Sequence, residues 1–222
     1  ISAAAWSDAS QGSRPMLSPD VAAFSSMILC FAKAAQPEEA ESWFREMQLS
    51  KAGLLPNTMC YNALIDAYGR AGRPDAAHTW LRKMQEAGVK SNVMTYTNLI
   101  SAHARLAQVD EAVDCLDGMA QAKLRPNVLS YTSAIVACLR NKAGDAYPRV
   151  AELMRRMQRD GLKADKFLMD KMQRLLGSEK LDQLRAELGS LEVSGGNARK
   201  EASLEHRLQR HRVPDQRDPE GV

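Results

Sequence analysis

The chain repeats itself at a fixed period. Tyr61, Tyr96 and Tyr131 are spaced by 35 residues, and Phe24 precedes the first of them by 37. Met47, Met84, Met119 and Met157 step by 37, 35 and 38, and Leu17, Leu54, Val89, Leu124 and Leu162 step by 37, 35, 35 and 38. The columns slip together, which locates two extra residues in "QLSKAGLLPN" and three in "NKAGDAYPR". Both segments are turn-like. A unit of this size cannot bury its apolar face alone, so neighbours must stack, and length changes are tolerated only where connections face solvent.

Within one unit the pattern reads helix, turn, helix. Met59, Tyr61, Leu64, Ile65 and Tyr68 fall at helical spacing, "AG" at 71 and 72 breaks the run, and Pro74 suits the first turn of the next helix. Ala77, Trp80, Leu81 and Met84 form the expected buried stripe of that helix, matched one unit earlier by Ala40, Trp43, Phe44 and Met47. The fold expected is all-α, a solenoid of stacked helix-turn-helix repeats. Four units occupy residues 17–165, and a degenerate unit at 166–193 is expected to cap the stack. Residues 1–16 and 194–222 lack apolar periodicity and are expected to be disordered. The chain begins at Ile1 without an initiator Met, and "LSPD" at 17–20 reads as the end of a preceding unit. Both leave room for an upstream segment, a targeting peptide included.

Composition narrows the function classes. No apolar stretch approaches the roughly 20 residues of a membrane span, so no membrane role is expected. The net charge of +3, from 30 basic and 27 acidic residues, neither demands nor excludes a nucleic acid; the placement of the basic groups decides. Cys30, Cys60, Cys115 and Cys138 lie far apart with no C-x-x-C pair, so reduced, buried thiols are expected rather than a zinc site or a disulfide framework. His78, His103, His206 and His211 are scattered. His103 shares a column with Phe31, Tyr68 and Cys138, which reads as packing rather than ligation. With no phosphate-cradling Gly loop, nucleophile elbow or H-x-E with C-x-x-C, no enzymatic activity, metal or cofactor is expected, and any chemistry is expected to come from a protein partner or from a segment outside this sequence.

The two-helix unit of 35 residues, with "YNALIDAYGRAGRPDAA" followed by "M", "G" and a closing "PN" or "SN", resembles the pentatricopeptide repeat of the P type. The resemblance covers about two thirds of the chain. Tetratricopeptide repeats share the hairpin but run 34 residues with a Trp, Gly and Tyr pattern that these units lack. The resemblance implies a right-handed solenoid whose first helices line a concave groove and bind single-stranded RNA at about one base per repeat. It also implies a mitochondrion or plastid, and a role in RNA processing, stabilisation or translation. A protein-binding helical scaffold is the alternative.

Carried onto this sequence, the base-selecting pairs are Ser25 with Asn57, Asn62 with Asn92, Thr97 with Asn127, and Thr132 with Asp165. In that family Ser or Thr with Asn reads adenine, Asn with Asn a pyrimidine, cytosine preferred, and Thr with Asp guanine. The chain is therefore expected to favour 5′-A-Y-A-G-3′ as a monomer. Asp20, Asn57, Asn92, Asn127 and Asp165 each stand just before a helix, where N-capping worth about 1 kcal/mol explains them as well. Ser25, Asn62, Thr97 and Thr132 lie inside the first turn, with no buried partner evident from sequence. Three residues earlier, Ala22, Met59, Met94 and Leu129 occupy the same helix face, where apolar side chains are expected to stack on bases. Lys33, Arg70, Arg105 and Arg140 form a basic column at the ends of the first helices, either as phosphate contacts or as partners of the helix dipole.

Overall fold

The computed structural model describes residues 20–50, 53–141 and 144–189. The expectations for residues 1–16, 190–193 and 194–222 fall outside the described residues, as do Leu17, His206 and His211. The ten helices among the described residues are α1 (Val21–Lys33), α2 (Pro37–Leu49), α3 (Thr58–Arg70), α4 (Pro74–Glu86), α5 (Val93–Arg105), α6 (Val109–Gln121), α7 (Val128–Arg140), α8 (Tyr147–Arg159), α9 (Lys166–Leu176) and α10 (Ser178–Leu188). No strand occurs among them. The fold is all-α, an array of helical hairpins.

Helices α1 to α8 each have 13 residues although the repeat spacing varies, so the added residues lie wholly in the connections after α2 and α7. Two chemistries mark the turns of the first three hairpins. Pro37 and Pro74 open α2 and α4, where a missing N–H costs nothing, and Glu38, Glu39, Asp75, Asp110 and Glu111 put negative charge at the positive ends of the second helices. The turn between helices uses a left-handed residue at Ala35, Gly72 and Ala107, with φ of 56°, 72° and 57°. Only the middle one is the residue best suited to that conformation.

The periodic apolar residues are the core. Met47, Met84, Met119 and Met157 are all fully buried, as are Ala40, Ala77, Ala112 and Val150 at the matching place in the second helices. Phe44 stacks edge-on against Tyr61 and Trp80, each at 5.0 Å between ring centroids. Trp43 and Leu81 depart from the expected buried stripe: both are only partly buried, and Trp43 packs on Phe24 with ring centroids 6.2 Å apart.

The first helices α1, α3, α5, α7 and α9 pack on one another in sequence, whereas the second helices barely meet. The inner row is therefore the more tightly spaced of the two, which curves the stack toward the first helices. Gly69 shows how close that approach is: a Cβ there would lie 2.8 Å from the Cβ of Ala102 on the neighbouring first helix. No described helix is long and apolar enough to cross a membrane.

Candidate nucleic-acid interface

Each first helix opens with a side-chain cap, and the cap is the closing residue of the preceding unit. Asp20 accepts from the N–H of Ala23, Asn57 from Met59 and Cys60, Asn92 from Thr95, Asn127 from Ser130 and Asp165 from Leu168. At Asn57, Asn92 and Asn127 the cap uses only Oδ1, and no hydrogen bond among the described residues uses Nδ2. Asn57, Asn92 and Asn127 are exposed and Asp165 is half-buried. One side chain thus divides its work: the oxygen fixes the helix, and the amide N–H groups, or Oδ2 in Asp165, are left for another partner.

The residue inside the first turn is tied to the next repeat. Ser25 Oγ lies 3.2 Å from Cys60 Sγ, Thr95 Oγ1 donates to Asn62 Oδ1 at 2.6 Å, and Thr97 Oγ1 lies 2.8 Å from Ser130 Oγ. Cys60, Thr95 and Ser130 share one column, and each also contacts the cap: Cys60 through its backbone N–H, Thr95 and Ser130 through their hydroxyls as well. The two members of each pair are joined through this third residue, and in one pair Asn62 Nδ2 also donates directly to Asn92 Oδ1 at 3.2 Å. The last pair breaks the pattern. Leu168 stands where the relay hydroxyl should be, and Thr132 Oγ1 is buried with no hydrogen-bond partner.

These bonds correct the expectation that the small polar residues lack buried partners. Ser25, Thr97 and Thr132 are 3, 2 and 3% exposed, covered by the next first helix, while Asn62 remains half-exposed. Ser25 and Thr97 also donate to the carbonyls of Val21 and Val93 one turn back. The site's floor is therefore formed by these hydroxyls, and its accessible polar atoms belong to Asn62 and the closing residues.

Met59, Met94 and Leu129 are more than half exposed on the same helices, one turn before the floor residues, and Ala22 is exposed but small. Phe167 extends this column on α9, 56% exposed with Lys171 Nζ 5.4 Å from its ring centroid. Sequence reasoning missed it, although 38 residues separate it from Leu129, the same step that separates Met119 from Met157. The relay column Cys60, Thr95 and Ser130 was also missed; it steps by 35 but mixes sulfur with hydroxyls.

Lys33, Arg70, Arg105 and Arg140 are the final residues of their helices and all four are exposed. Arg70 is bonded to Asp66 at 2.6 Å. Burial and the neighbouring Arg70 and Arg140 depress the Arg105 guanidinium, opposed by Asp66, so the three arginines sit close enough to repel one another. Arg140 approaches the carbonyl of Ala104 in the last turn of α5 at 3.5 Å, a dipole contact at the edge of hydrogen-bonding range.

Two sequence expectations fail away from this face. Cys30 is exposed rather than buried, while Cys60, Cys115 and Cys138 are buried free thiols. His78 and His103 are not scattered: their Nε2 atoms lie 2.8 Å apart, with Cys115 alongside.

Residues 56–105 and 91–140 match a model described as the PPR repeat family and residues 22–51 one described as the PPR repeat, together more than half of the chain. No curated protein matched. Among solved structures, the pentatricopeptide repeat protein PPR10 in complex with an 18-nt psaJ RNA element aligns at 22% identity over 77% of this chain and 26% of that chain, TM-score 0.65. PPR10 from maize gives 22% identity, TM-score 0.59, over 87% of this chain and 30% of that one. The PPR domain of Arabidopsis thaliana protein-only RNase P 1, in complex with tRNA, gives 15% identity and TM-score 0.57 over 84% of this chain and 98% of that chain. The chain thus spans about a quarter of the length of PPR10 in its RNA complex.

Proposed function

The chain belongs to the pentatricopeptide repeat family, and on that premise we propose that it binds single-stranded RNA along its first helices, one base per repeat, as an organellar RNA-binding protein. The observation that carries the reading is the divided closing residue. Its capping oxygen holds the helix, and its other polar atom has no hydrogen bond among the described residues and lies near an exposed apolar side chain large enough to cover a base.

The chemistry of each pair then suits a base. Asn57 and Asn127 present N–H donors, which fit the ring acceptor of adenine. Asn62 and Asn92 keep unbonded side-chain N–H groups after their mutual bond, a donor pair suited to the two adjacent acceptors of cytosine. Asp165 presents only an acceptor, Oδ2, which suits guanine's ring N–H. The sequence proposed is 5′-A-Y-A-G-3′. The first three bases would lie between Ala22 and Met59, Met59 and Met94, and Met94 and Leu129, and the last between Leu129 and Phe167. Arg70, Arg105 and Arg140 supply phosphate contacts, with Lys33 at the end of the column. Similar proteins bind RNA in their solved structures, which supports the class of ligand. A mitochondrial or plastid location, and an outcome in processing, stabilisation or translation, follow the same family premise.

Titrating labelled 5′-A-C-A-G-3′ and scrambled tetramers embedded in oligouridine tests the reading. Preference for the first, declining with salt, supports it. Equal weak binding of both, with tight salt-insensitive capture of a peptide, overturns it.

A further inference from the structure

The slot between consecutive hairpins on the second-helix side is chemically different at each interface. Between the first pair of repeats it holds Glu41, Tyr68 and Trp80, with the Tyr68 hydroxyl donating to Glu41. Two interfaces on, the equivalent places hold Val113, Cys138 and Leu153, a largely apolar set. Between them the same three places hold His78, His103 and Cys115, from α4, α5 and α6.

We propose that His78, His103 and Cys115 form a binding site for a borderline-soft divalent cation, Zn2+, that ties the second helix of one repeat to both helices of the next. Their donor atoms lie within 4.8 Å of one another. His78 Nε2 is 2.8 Å from His103 Nε2 and 3.8 Å from Cys115 Sγ. Tetrahedral zinc needs about 3.3 Å between two nitrogens and about 3.6 Å between nitrogen and sulfur, so the two rings need part by only about half an ångström. His103 is already set for ligation: Nδ1–H donates to Gln108 Oε1 at 2.9 Å, which leaves the Nε2 lone pair directed at the cluster, the outer-shell arrangement typical of metal-bound histidine. His103 and Cys115 are 3 and 6% exposed and His78 is exposed, so the site is built inside with an entry for the ion at His78.

Burial together with Asp114 and Glu111 holds the Cys115 thiol up at about 12, and burial and His103 hold His78 below its ordinary value. On binding, Cys115 gives its thiol proton to solvent as the S–Zn bond forms, and the His78 ring carries its proton on Nδ1 so that Nε2 is free. Water completes the fourth position.

The test titrates the full chain, stripped with a chelator, with Co2+ as an absorbing stand-in and then with Zn2+. One Co2+ per chain with a thiolate-to-metal charge-transfer band is expected, displaced by Zn2+, which should also raise the melting temperature. His78→Asn, at an exposed position that leaves the core intact, should weaken binding at least tenfold, and Cys115→Ser should abolish the band. Gln108→Leu should weaken it about 10- to 100-fold by releasing His103. His206→Asn with His211→Asn should change nothing. Absence of the thiolate band in the folded wild type, unchanged binding by His78→Asn, or loss of binding only in the His206 and His211 variant would each overturn the proposal. None of these outcomes depends on RNA binding.

Discussion

Asn62 donates its side-chain amide to Oδ1 of Asn92 at 3.2 Å, joining the inside of one first helix to the cap of the next. Thr95, whose hydroxyl touches both, closes the triangle and completes a capping box with Asn92. The pair is thus a mechanical link between repeats before it is a reader of anything. On the proposed reading, a base edge contacting the remaining amide N–H groups would meet side chains held from two sides, and that preorganisation would limit the entropy lost on binding.

The relay column gives a separable prediction. Ser130→Ala removes the hydroxyl between Thr97 and Asn127 but keeps the backbone cap from residue 130. Stability should fall by about 1 kcal/mol, and preference at the third base by about fivefold, with the other three bases unaffected. Base selection by randomised RNA and urea melts measure both; a uniform loss at all bases would place Ser130 in folding alone.

Thr97 and Thr132 occupy equivalent places but differ in partners. Thr97→Val should cost roughly 1–2 kcal/mol because it strips Ser130 and the Val93 carbonyl of a contact, whereas Thr132→Val removes an orphaned hydroxyl and should be neutral or mildly stabilising. Paired urea denaturation decides, and equal losses would mean Thr132 is bonded in solution.

The turn residues should respond in opposite senses. Ala107→Gly relieves a left-handed alanine with φ of 57° and should stabilise by about 0.5–1 kcal/mol, while Gly72→Ala should destabilise by a similar amount. Melting temperatures shifting the same way in both variants would contradict this account of the turn.

Replacing Arg70, Arg105 and Arg140 with Gln should weaken RNA binding at all sequences alike and flatten the salt slope by up to about 0.7 per lost contact. Arg70 should contribute least of the three, since Asp66 already holds it. An unchanged slope would leave these residues as partners of the helix dipole, as the Arg140 contact with Ala104 already is.

The solenoid was legible because a 35-residue period fixes which residues must be buried, and the methionine and alanine columns are buried in full. The caps were legible for the same reason: Asn and Asp recur one residue before each first helix. What periodicity does not encode is contact across the period. Thr97 meeting Ser130 and His78 meeting His103 depend on how far one hairpin rotates on the next, a quantity absent from spacing. Phe167 escaped because its repeat is shortened to two 11-residue helices and lacks the surrounding pattern, although its column was intact.

The central claim is that the free atom of each closing residue reads a base, and Asp165→Asn tests it most directly. The substitution keeps the capping oxygen that holds the N–H of Leu168 and exchanges only the outward acceptor for a donor, so the helix should stand unchanged. In randomised-RNA selections on wild type and variant, the fourth base should move from guanine to adenine while the first three stay as they are. The same base at that place from both proteins would contradict the claim and leave Asp165 as a helix cap.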